Sequence, residues 1–135
     1  MPISQARQTA ATDGRTAAVR KTIEKYLTAV KTWNEAAFRE TFHPAANISH
    51  YYVKGDAIKT ITLDEFVASI ESLHRKFDNA EEVAEEIEVT LVGPLASVRV
   101  AFAFVMGPNT LRGQDLFNLA YCQGQWRIVH KTYYL

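Results

Sequence analysis

Two side chains near the end of this 135-residue chain, Asp115 and His130, carry the types and spacing that could do chemistry. Gln114 to Cys122 and Trp126 to Tyr134 both alternate in strand fashion. Between them Gln123-Gly124 reads as a two-residue turn, which the glycine favours. That turn sets Cys122 opposite Gln125, Tyr121 opposite Trp126, Leu119 opposite Ile128, Phe117 opposite His130 and Asp115 opposite Thr132. An uninterrupted register sends all of these to one sheet face, and Asp115 and His130 then lie diagonally, roughly 7 Å apart. On an apolar face, desolvation raises the carboxyl pKa and depresses the imidazole pKa, while their mutual attraction opposes both shifts. Such a pair can act as base and acid toward a small carbonyl or enolisable substrate. The same two groups can anchor a ligand without chemistry, or simply hydrogen-bond at the sheet rim. The pairing depends on register, because a one-residue slip turns the last strand over.

The other histidines are weighed the same way. His74 lies on an apolar helical stripe beside Ile70 and Phe77 and is expected to face inward, as a core histidine or as a ligand contact. His50 alternates with Ile48 and Tyr52, so His50 and Tyr52 are candidate pocket-lining residues. His43 precedes Pro44 at a helix end. No two histidines stand four apart on one helix, so no sequence-local metal site is expected; only a spatial cluster of His50, His74, His130 and Asp115 could hold an ion. Glycine-rich phosphate loops, a nucleophile elbow and a dinucleotide fingerprint are all missing, and no cofactor is expected. The single cysteine, Cys122, excludes an intrachain disulfide and suits a reducing compartment.

Aromatic residues are spread along the chain. Tyr26, Phe66, Phe102, Phe104, Phe117 and Trp126 are expected in the core or around a pocket. A flat, partly apolar ligand would suit such a lining with a few polar groups.

The elements that position these residues follow from periodicity. Residues 1–12 are small and polar and read as a flexible tail, leaving 13–135 as one domain. Asp13 can cap a helix whose Val19, Ile23, Tyr26, Leu27, Val30 and Trp33 form one stripe. Asn34 caps a short second helix bearing Phe38 and Phe42. Ile48 to Val53 and Ala57 to Ile61 form a short hairpin around Lys54-Gly55-Asp56. Thr62-Leu63-Asp64-Glu65 is a capping box opening a third helix with Leu63, Phe66, Val67, Ile70, Leu73, His74 and Phe77 inward. Glu81, Glu82, Glu85, Glu86 and Glu88 read as a solvated acidic face. From Glu86 the period becomes two, and Val98 to Met106 forms the next strand after Gly93-Pro94. Helices segregated from strands indicate an α+β fold, three helices on a curved antiparallel sheet.

Composition bounds the partners. The fifteen basic residues equal the fifteen acidic ones, which argues against a nucleic-acid surface or a polybasic membrane anchor. No stretch has the apolar length of a membrane span, and no apolar leader is seen, so a cytoplasmic location is expected. The alternating Arg99, Ala101, Ala103 and Val105 put small side chains on the far sheet face, as a homodimer interface through the sheet would need.

The long first helix, Phe42-His43-Pro44, the helix opening at Thr62, and Gly124-Gln125-Trp126-Arg127-Ile128-Val129-His130-Lys131 together resemble the nuclear-transport-factor-2-like (NTF2-like) superfamily. Within it, Asp115 to Tyr133 resembles the lumazine-binding branch, related to the SnoaL-like polyketide-cyclase-like proteins. The resemblance implies a cone-shaped cystatin-like fold, frequent homodimers, and a pocket at the open end of the cone. Three functions stay open: binding of a small hydrophobic or heteroaromatic molecule, acid–base catalysis (isomerase, dehydratase or cyclase) by Asp115 and His130, or a non-catalytic association module.

Overall fold

The computed structural model describes residues 2–135, with side chains described from Gly14 onward. Its elements are α1 (Pro2–Thr32), α2 (Glu35–Thr41), β1 (Phe42–Tyr52), β2 (Ala57–Thr62), α3 (Leu63–Lys76), β3 (Ala80–Val92), β4 (Leu95–Met106), β5 (Asn109–Cys122) and β6 (Gln125–Tyr134). The strands form one sheet in the order β2-β1-β6-β5-β4-β3, and the helices pack on one of its faces. Every neighbouring pair is antiparallel except β1 and β6, which run parallel, so the sheet is mixed. The long passage from β1 to β6 through five other elements permits that parallel pairing.

Local sequence explains each helix. The stripe of α1 is its buried side, with Val19, Ile23, Tyr26 and Val30 withdrawn from solvent. The α1 backbone is helical back to Pro2; the side chains of the expected tail and of Asp13 lie outside those described. Trp33 closes α1 in the left-handed region (φ 51°), which lets the Asn34 N–H bond the Ala29 carbonyl at 3.1 Å. The Asn34 side chain then accepts from Ala37 N at 3.1 Å and caps α2. At α3 the capping box forms as the sequence predicts, with Glu65 N donating to Thr62 and Thr62 N donating to Glu65. Leu63, Phe66, Val67 and Ile70 then enter the core.

Two β-bulges decide which side chains face that core. In β3 the ladder to β4 shifts between Ala84 and Glu86. Ala80, Glu82 and Ala84 point inward before the shift, and Ile87, Val89 and Leu91 after it. The strand thus starts six residues earlier than the change of period at Glu86 suggests, inside the acidic run. In β6 the turn at Gln123-Gly124 has φ 53° and 82°, as a two-residue hairpin turn requires, and Cys122↔Gln125, Tyr121↔Trp126 and Leu119↔Ile128 pair as expected. Val129 is then an extra residue, and beyond it the pairs are Asn118↔His130, Phe117↔Lys131, Leu116↔Thr132 and Asp115↔Tyr133. That single residue turns His130 to the outer face and Lys131 to the inner one.

Candidate functional site

Four ionisable side chains from four elements meet inside the sheet's concave face. Tyr26 comes from the middle of α1, Glu82 from β3, Asp115 from β5 and Lys131 from β6. Each sits at an inward position of its element, and the two bulges put Glu82 and Lys131 in register to do so. Asp115 is fully inaccessible, and Glu82 and Lys131 are each 4% exposed. The Tyr26 hydroxyl donates to Glu82 Oε1 at 2.7 Å and accepts from Lys131 Nζ at 2.6 Å. Lys131 Nζ also lies 3.6 Å from Glu82 Oε1 and 3.6 Å from Asp115 Oδ1. Its ammonium is wrapped by rings, 4.5 Å from the Tyr133 centroid and 4.9 Å from that of Phe66.

The cluster holds two acids and one cation, so its protons matter. Glu82 Oε2 and both Asp115 carboxyl oxygens are buried without a donor among the described residues. Burial pushes the Asp115 carboxyl well above the usual range, the charge of Glu82 pushes the same way, and the charge of Lys131 opposes them without reversing the direction. Burial works against the Lys131 charge, but the carboxylates of Asp115 and Glu82 outweigh it and hold that amine above its ordinary value. Burial and the Glu82 charge hold the Tyr26 hydroxyl well above its own. These directions favour a protonated carboxyl on Asp115, an ammonium on Lys131 and a neutral hydroxyl on Tyr26.

Beside the cluster is a cavity of about 110 Å³. Tyr26, Glu82, Lys131, Ser69 and Tyr133 supply its polar groups, and Phe66, Ile70, Phe102, Phe104 and Met106 much of the rest. Asp115 lies behind Lys131, out of the lining. At 110 Å³ the space is slightly smaller than the engineered apolar cavity of about 150 Å³ that admits benzene.

The structure sorts the residues singled out from the sequence. Tyr26, Phe66, Phe102 and Phe104 line the cavity. Phe117 is fully buried with its centroid 5.4 Å from that of Tyr26, so it supports the site from below. His50 is stacked between Tyr52 (3.9 Å) and Tyr133 (4.3 Å), outside the lining; burial and then the Lys131 charge depress its pKa. His74 donates from Nε2 to the Val30 carbonyl at 2.6 Å and ties α3 to α1. Trp126 lies near the hairpin turn, against Tyr121 and Arg15, and lines a separate groove.

The Asp115–His130 pairing is corrected. His130 is on the outer face, with Nδ1 bonded to Asn47 and Nε2 2.7 Å from Thr132 Oγ1, because the Val129 bulge ends the uninterrupted register that the pairing needed. The spatial cluster of His50, His74, His130 and Asp115 does not assemble: among the described residues no three metal-ligating side chains converge. Glu82 is the cluster residue that the sequence reading assigned to solvent. The signal for it was Ala80 and Ala84 at two-residue spacing on either side, a small-residue frame that a solvated charge does not need. Cys122 is exposed, beside the turn.

This architecture, three helices on a curved six-stranded mixed sheet with a polar cluster in the concave face, is the nuclear-transport-factor-2-like fold. Residues 14–134 match the model of the family described as putative lumazine-binding, and the chain belongs to that family. No curated protein matches the chain by sequence. An NTF-2 like protein of unknown function from Silicibacter pomeroyi superposes with TM-score 0.74 at 22% identity, covering 90% of this chain and 96% of that one. A structure described as a putative scytalone dehydratase from Novosphingobium aromaticivorans gives TM-score 0.77 at 15% identity over 93% and 86%. One described as a putative ketosteroid isomerase from Shewanella frigidimarina gives 0.68 at 16% over 86% and 94%. Identities this low establish a shared fold. Among the described residues no helix is long and apolar enough to cross a membrane.

Proposed function

We propose that the protein binds a small, mostly apolar single-ring molecule in the α3–sheet cavity, its polar group meeting Tyr26, Glu82 and Lys131. The observation that carries this reading is a set of four buried ionisable groups, three of which (Tyr26, Glu82 and Lys131) line a mostly apolar cavity. Burying charges gains little stability over an apolar core, so such a cluster beside a cavity points to a recognition role. A fused two-ring heteroaromatic, the kind of ligand the family's description names, needs Phe104 and Met106 to give way. The test is thermal denaturation and ligand-observed NMR with 2-pyridone, cyclohex-2-enone and benzaldehyde, on the native protein and on Glu82→Gln. At least one compound should raise Tm in the native protein and lose its effect in the variant. Absence of any Tm shift, or equal binding by Glu82→Gln, would sink the reading.

A second reading, acid–base catalysis, is favoured by the buried Glu82 carboxyl lying within reach of both the Tyr26 hydroxyl and the Lys131 amine. Glu82 would take a proton from a carbon acid, and Lys131 and Tyr26 would stabilise the oxygen that becomes negative. Deuterium uptake at the α-carbon of cyclohexanone in heavy water should then collapse in Glu82→Gln; an unchanged rate rules the reading out.

The outer sheet face, with Ala101, Ala103 and a half-exposed Leu116, supports pairing of two copies sheet to sheet. Sedimentation of the native protein against Leu116→Lys tests it, since a charge there should yield monomer. An exposed single thiol suits a reducing cytoplasm.

A further inference from the structure

A second concave site lies at the other end of the sheet, between the middle of α1 and the β5–β6 turn. Its volume of about 590 Å³ is in the roughly 300–1,000 Å³ range of small-molecule sites, which the inner cavity does not reach. The wall from β5 and β6 is aromatic. Tyr121 stands half-exposed, with its ring edge-on to that of Trp126 at 5.4 Å and 62°. Trp126 is buried as the floor and is held from the helix side by the Arg15 guanidinium, 5.8 Å from its centroid. Arg15 in turn donates to the Gly93 carbonyl, so both groups are fixed before any ligand arrives.

The helix wall is cationic. Arg15, Lys21 and Lys25 line the groove and face one carboxylate, Glu40. Glu40 is engaged by Lys25. Lys21 enters none of the ion pairs among the described residues. The groove thus combines an aromatic wall with an excess of positive charge on the wall opposite it. Gly14 and Ala18, on the same side of α1, have side chains too small to fill the gap.

We propose that this groove is a second binding site, for a flat aromatic carboxylate, with the ring on Tyr121 over Trp126 and the carboxylate between Arg15 and Lys21. Stacking on an aromatic wall supplies ring affinity, and the planar guanidinium and free ammonium select the anion. It is distinct from the inner cavity in every residue that lines it.

The probe is naphthalene-2-carboxylate, with naphthalene-2-carboxamide as the uncharged control, titrated into the full ¹⁵N-labelled chain. The indole N–H of Trp126 should shift saturably with the acid, and the amide should bind several-fold more weakly. Lys21→Glu, an exposed change, should weaken the acid about fivefold and leave the amide unaltered. Raising the salt concentration should weaken the acid alone. Tyr121→Ala should weaken both, because the ring contact is common to them. Three results each overturn the proposal: no saturable shift below about 10 mM probe, a constant weaker than most small-molecule sites; shifts confined to Tyr26, Phe66 and Tyr133 of the inner cavity; or equal affinity for acid and amide.

Discussion

The β5–β6 hairpin serves two sites built on opposite electrostatic principles, and Val129 divides them. On the turn side of the bulge, Tyr121 and Trp126 border a groove whose charges stay in water: the Lys25 and Glu40 side chains are 49% and 58% exposed. Beyond it, Asp115 and Lys131 belong to a cluster from which water is withdrawn. Charges at the first end are screened and cheap to rearrange. At the second end each charge relies on its partners, because desolvation is compensated only by a complete set of hydrogen bonds. Removing one group should therefore be severe at one end and slight at the other.

The largest effect expected is at Lys131. Lys131→Met keeps the length of the stem and its contact with Tyr133 and Phe66, and deletes the one cation facing two acids. A loss of about 3–5 kcal/mol is expected, the range for breaking a buried pair. Adding Glu82→Gln removes the stranded carboxylate. The double variant should be more stable than the sum of the single losses predicts, by about 1–3 kcal/mol. Urea denaturation of the four proteins measures this, and strict additivity would show that the two groups do not depend on each other.

Much of this architecture is legible in the sequence. The α1 stripe, the Asn34 cap, the Thr62/Glu65 capping box and the Gln123-Gly124 turn are local devices, set by neighbours within a few residues. Tyr26 and Asp115 are also legible, one on the stripe and one on the inward strand period. What escapes is non-local. A bulge is fixed by the strand across the ladder, and nothing in Ile128-Val129-His130 announces that Val129 is the unpaired residue. Because strand period is two, that one residue exchanges His130 for Lys131 at the site. Glu82 is missed for a related reason: five glutamates in eight residues look like a solvated run, whereas the β3 backbone turns one of them inward and leaves the others outside.

Asp115 sharpens the comparison through pH. Its folded pKa is raised above the unfolded value of about 4, so the stability it contributes is full below pH ~4 and is lost as pH rises toward the folded pKa. Asp115→Asn keeps a neutral side chain of the same shape at every pH. The variant and the native protein should have similar stability in acid, and the variant should gain on the native protein as pH rises above ~4. His50, whose pKa is depressed, contributes stability above about pH 6.5 that is lost as pH falls through its folded value, but it is common to both proteins and drops out of the difference. Denaturation midpoints across the pH range measure that difference. A flat difference would mean that Asp115 is ionised in the folded protein.

The smallest effect expected is at Glu40, and it tests the other half of the contrast. Glu40→Gln removes the carboxylate bound by Lys25 at the groove, an acid-to-amide change of the same kind as Glu82→Gln inside the cone. Both Glu40 and Lys25 remain hydrated, so neither is stranded when the other loses its charge. The stability change should be within about 0.5 kcal/mol and should vanish at high salt, where exposed charges are screened. Naphthalene-2-carboxylate, in contrast, should bind somewhat better, because the groove keeps its three cations and loses the one anion that opposes the ligand. A stability loss as large as that of an inner-cluster variant would show that the groove's charges also hold the fold together. The hairpin's two ends would then differ in exposure but not in kind.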